Sequence, residues 1–200
     1  MENKLNFQQT LVDGVKLGIQ NVANLLLMVF LYVITIWIPY LNVGTTIGFY
    51  KNIIALSRGE DVVPLSIFSK DNYKNLGDFF LLMGLQTAGI SAGAAFMLLP
   101  SIVVALAWQF AMYFFLDKGT SPLKSLGLSY DVTLGEKWTL FFVYLAAGVA
   151  ICLVVGLLAA IPKVGGVLAI LACLACVAIW IGIEATLYKY FSGKLEQKAE

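Results

Sequence analysis

Two hundred residues bound this chain to one domain; 60% of them are apolar and 12% charged, against roughly 45–50% and about 25% in soluble domains. A soluble chain of this size cannot hide that much apolar surface, so lipid must cover it. A net charge of +1, with no basic run longer than two residues, sets nucleic acid aside as a partner. The absence of histidine removes the commonest general base, metal ligand and proton switch together.

From the N-terminus, residues 1–20 carry Glu2, Lys4, Asp13 and Lys16 among several amides. No short apolar core followed by a cleavage site appears, so the first apolar stretch is expected to remain as an anchor. Within Leu5 to Gln20, Leu11, Val15 and Ile19 share one helical face with Val22, which predicts an amphipathic segment lying in the headgroup plane or extending the next helix. About 20 helical residues cross the hydrocarbon, and six stretches approach that length. They are Val22 to Ile38, Leu41 to Tyr50 extended by Asn52 to Leu56 with Lys51 snorkelling, Phe79 to Leu99, Ser101 to Leu116, Trp138 to Ile161, and Gly165 to Ile183. The predicted fold is all-α: a polytopic transmembrane bundle of six helices as three hairpins (22–56, 76–116 and 136–190), with a polar tail at 191–200.

Pro39, Pro100 and Pro162 interrupt apolar runs in IPYLNVG, LPSIVVA and IPKVGGV, 61 and 62 residues apart. Proline ends a helix and moves its predecessor out of the α region, so each predicts a tight outside turn. Phe79-Phe80 and Phe141-Phe142 keep the same step, and a threefold repeat is one reading of it. The other is that any hairpin protein has turns at this spacing. Amphipathic stretches also precede the later hairpins, at Leu65 to Asn75 and Ser121 to Leu134; in the latter Leu123, Leu126, Tyr130 and Leu134 line one side. Of thirteen basic residues only Lys163 falls on the far side of this arrangement. The bias predicts a multi-pass protein of the cell (plasma or inner) membrane with both ends cytoplasmic.

Gly89 and Gly93 form a GxxxG on the third stretch, read as packing between neighbouring helices before dimerisation. Cys152, Cys173 and Cys176 lie in apolar runs without a polar neighbour and read as small packing residues; no metal, cofactor or catalytic set is expected. The polar intramembrane candidates are Gln86, Gln109 and Glu184. Glu184 follows 19 uncharged residues, about 28 Å of helix. That places it near the cytoplasmic boundary, between Trp180 and Tyr188, as an interfacial carboxylate. The competing reading makes it a buried functional group.

The run WIPYLNVGTTIGFYKNIIALSRGEDVVPLSIF, with the later SPLKSLGLSYDVTLGEKWTLFF, resembles a family of uncharacterised prokaryotic polytopic membrane proteins. It is also similar to the membrane domain attached to some glycerophosphodiester phosphodiesterases. The resemblance implies an architecture and carries no catalytic residues. Function is then expected to be non-enzymatic: a scaffold or accessory subunit packing with lipid, other membrane proteins or itself. The alternative is a small-solute transporter or substrate-binding membrane component, disfavoured at this level by the lack of a broken helix or a midplane ionisable group.

Overall fold

The computed structural model describes residues 4–199, whose regular structure is helical, without strands among the described residues. In chain order the helices are α1 (Phe7–Gln20), α2 (Val22–Thr35), α3 (Leu41–Ser57), α4 (Leu76–Phe96), α5 (Leu98–Trp108), α6 (Ala111–Lys118), α7 (Pro122–Thr133), α8 (Lys137–Ala159) and α9 (Gly165–Ala199). Two 3-10 turns, Pro64–Phe68 and Lys70–Tyr73, fill the connection between α3 and α4. Four helical stretches are long and apolar enough to cross a membrane: α4, the continuous run Leu98–Lys118, α8 and α9; counting the bent pair α1–α2 makes five. This is a membrane protein by that measure. Its outward side chains agree, since Phe96, Leu98, Leu157 and Val167 are all largely exposed.

The four long stretches form two antiparallel hairpins. α4 turns into α5 at Met97, and α8 into α9 through 160–164. Pro100 does not make its turn. It sits inside the first turn of α5, where a missing N–H costs nothing, and the extended Met97 makes the break. Pro39 and Pro162 do lie in turns, and the two turns are alike. In each, the N–H two residues after proline's own position bonds back to the proline carbonyl (Leu41 to Pro39, Val164 to Pro162, 2.9 Å in both). The residue between takes positive φ, 70° at Tyr40 and 67° at Lys163, the strained left-handed form of the γ-turn.

The first hairpin is shorter than the others and placed differently. Tyr40 stacks on Tyr73 with ring centroids 4.8 Å apart, three residues before α4 begins. At the other end of α3, Arg58 pairs with Asp117 at the close of α6. Because α4 and Leu98–Lys118 run antiparallel, the start of one and the end of the other share one end of the bundle. Both ends of α3 therefore return to that end, the basic one. No residue of α3 is exposed. The 64–73 connection lies along it: Asn52 bonds Ser66 at 2.7 Å, Lys51 Nζ bonds Asn72 Oδ1 at 3.0 Å, and Ile67 and Tyr73 fill the spaces beside Gly48 and Gly44. Lys51 is held by protein here and does not snorkel to a headgroup.

Both amphipathic helices are packed small side inward. α1 buries Thr10, Gly14 and Gly18 against α9 and leaves Val12 and Ile19 exposed. Any Cβ on Gly14 or Gly18 would strike Ile183 or the Ala178 backbone. α7 buries Ser125, Ser129 and Thr133 along with Leu126 and Val132, so Leu126 leaves the predicted apolar side, while Leu123, Tyr130 and, just past the helix end, Leu134 are exposed. In lipid an outward leucine is solvated, and close approach favours small residues with hydroxyls.

Candidate functional site

The helical hydrogen-bond ladder of the run Leu98–Lys118 is interrupted at Gln109 and Phe110 without a change of direction sharp enough to end the span, although neither proline nor glycine stands there. The cause is a side chain inserted in the helical ladder. Ser129 of α7 donates its hydroxyl to the Ala107 carbonyl at 2.7 Å and accepts the Phe110 N–H at 3.1 Å. Thr133, one turn on, also reaches Ala107 O at 3.4 Å. From α4, Gln86 Nε2 donates to the freed Trp108 carbonyl at 2.7 Å. A broken helix at membrane depth survives only if its backbone groups are satisfied in this way. No buried side-chain nitrogen or oxygen lacks a partner among the described residues.

The break aims Gln109 across the bundle. Its Nε2 donates to both oxygens of Glu184 on α9, at 3.2 and 3.4 Å, and contacts the Tyr144 hydroxyl from α8. The Tyr113 and Tyr144 phenols face the same carboxylate. Tyr50 of α3 packs edge-on to Tyr113 at 5.1 Å. Thus all three polar candidates converge on one break, Gln86 behind it and Gln109 with Glu184 in front.

Glu184 is consequently enclosed by the bundle and not turned out to solvent as an isolated carboxylate. Its residue keeps a partly exposed flank, but its oxygens are turned inward, onto the Gln109 amide and toward the phenols of Tyr113 and Tyr144. No lysine or arginine pairs with it among the described residues. Its aromatic neighbours in sequence are interior too. Tyr188 is 1% exposed and donates to Asp117 Oδ2 at 2.6 Å, while Trp180 packs on Tyr144 at 5.4 Å. A carboxylate enclosed in the bundle, expected to be missing, is present, while the run that carries Gln109 is locally interrupted but continues as one span.

A second polar layer closes the basic end. Asp117, whose side chain is only 3% exposed, receives Arg58 and Tyr188, and Lys118 reaches Glu196 at 2.8 Å. Glu136, at the start of α8, accepts the Leu5 N–H at 3.4 Å and the Tyr190 hydroxyl at 3.3 Å, with Lys194 at 3.8 Å. This ties the N-terminal residues to the last third of α9. Sequence reasoning passed over Tyr113, Tyr144 and Ser129. A tyrosine inside an apolar run was the available signal, because a buried phenol needs a partner. Gly89 and Gly93 serve the α4–α5 hairpin, facing Trp108 and Ser101. Cys152 and Cys173 are exposed among apolar neighbours, and Cys176 is buried.

No family model, curated protein or solved structure matches the chain.

Proposed function

We propose that this chain is a small-solute transporter or substrate-binding membrane component, with the Glu184 carboxylate and Gln109 as its polar centre. The observation that supports the reading is a carboxylate surrounded by neutral polar groups, with no cation paired to it among the described residues, beside an interruption in a spanning helix. Unwound helix at membrane depth is how transporters build solute sites, and an intramembrane ionisable group marks function by default. A lone anion with amide and phenol donors suits a small cation or an amine-bearing solute. The site is closed on itself, and the α5–α6 break is the place where it opens. Both chain ends lie on the cytoplasmic face in this proposal, four spanning stretches giving the even count that the lysine bias requires. The family resemblance is proposed as one of architecture.

The test is thermal unfolding of the purified full chain in mild detergent, across a panel of inorganic cations and small amines. The expected result is stabilisation of the wild type by one class and its loss in Glu184→Gln, which keeps the shape but removes the charge. If no member of the panel discriminates the two proteins, the centre is a structural lock and the transporter reading falls.

A second reading, the accessory subunit, has its own observation. An apolar groove of about 400 Å³ opens beside α1 between α8 and α9, lined by Ala146, Ala150, Ala172, Ala175 and Cys176. Small residues of this kind admit a partner helix. A stoichiometric partner in native membranes, lost when Ala150 and Ala172 are changed to leucine, is the outcome that favours it.

A further inference from the structure

The polar side of α1 faces α9 across a groove that the solute site does not use. Its larger part, about 520 Å³, is lined by Lys4, Lys189 and Lys194 with the polar side chains of Asn6, Gln9 and Thr186. A continuation of about 320 Å³ shares Asp13, Thr186 and Lys189, and adds Lys16 and the end of α3. Four lysines thus meet one lining aspartate. Of these, Lys4, Lys16 and Lys189 make no ion pair among the described residues, and Lys194 stands 3.8 Å from Glu136. An anion in the groove would offset their charge.

The surroundings indicate which anion. Around the circumference of α1 the groove side carries Gln9, Asp13 and Lys16, and the outward side carries exposed Val12 and Ile19. An amphipathic helix of this pattern sits where hydrocarbon meets headgroups. The groove thus begins at the basic end of the bundle, at Lys4 and Lys194, and runs inward along α9 to Lys16, beside Gly182; basic pockets between helices at the membrane edge hold phosphate headgroups. We propose that the α1–α9 groove binds the phosphate of an anionic phospholipid, docking α1 to the membrane. The inference is independent of the solute site.

The experiment uses the full chain in nanodiscs and in detergent, comparing Lys16→Gln/Lys189→Gln with Lys70→Gln/Lys124→Gln, which removes the same charge at the same end. Lipid retention is read by native mass spectrometry for phosphatidylglycerol against phosphatidylcholine. At about 1 kcal/mol per lysine, the groove variant should lose on the order of 20-fold in preference for phosphatidylglycerol, while the control stays within about threefold of wild type. A parallel arm adds inorganic phosphate and glycerol phosphate without lipid. If these stabilise the wild type and not the groove variant, while phosphatidylglycerol preference is unchanged between them, the ligand is a soluble phosphate and the lipid assignment is overturned. Equal losses in both variants would mean general surface charge and no site.

Discussion

Tyr40 and Lys163 hold φ of 70° and 67°, where a Cβ crowds the backbone and glycine does not. Strain of this kind amounts to about 1–3 kcal/mol. Lys163→Gly should therefore raise stability by about 1 kcal/mol, seen as a higher midpoint in thermal unfolding. Tyr40→Gly should gain less or nothing, because it also removes the ring stacked on Tyr73. Ser129 is the other residue whose single change is decisive. Ser129→Ala leaves Phe110 N–H without a partner in a dry interior and should cost about 1–3 kcal/mol in denaturant titration. Ser125→Ala, whose hydroxyl bonds only within its own turn, at Ser121 and Thr120, should cost less. Equal effects would remove Ser129 as the wedge in the helix.

At the scale of elements, the contact of α1 with α9 rests on three glycines, Gly14 and Gly18 against Gly182. Gly18→Leu must push apart two backbones and should destabilise by roughly 2 kcal/mol or more. Gly148→Ala, which has open space around it, should be neutral or slightly stabilising through helix propensity. Comparable losses at both positions would show that α1 is not docked there. The turns at Pro39 and Pro162 share bond pattern and φ, whereas Pro100 sits within a helix. The likeness of hairpins therefore joins the first to the third by turn geometry, and the second to the third by length.

For the whole molecule, the first hairpin makes the sharpest prediction. A cysteine at position 37, introduced after Cys152, Cys173 and Cys176 are changed to alanine, should react from the same side as one at position 74. A cysteine at position 163 should react only from the opposite side. Trp37 is 85% exposed, so the probe can reach it. Reaction of position 37 from the side of Lys163 would restore a full first hairpin and six crossings. A reporter at the C-terminus should lie with position 74.

Much of this protein was determined by the sequence alone. A chain this apolar has no soluble solution, and helices are the spanning form its long runs permit. The third to sixth apolar stretches appear near their expected places because length and hydropathy are properties of a segment by itself. Three matters belonged to tertiary structure. Helical periodicity marks two faces of α1 and α7 without saying which points inward, and in lipid the small polar face does. The break at Gln109 carries no proline or glycine signal, because its cause is Ser129, twenty residues away on another helix. The depth of Glu184 was counted along one helix, but its environment is set by Gln109, Tyr113 and Tyr144, which only packing assembles around it. Hydrogen bonds between distant segments leave no period in the chain, and the polar centre of this protein is built from them.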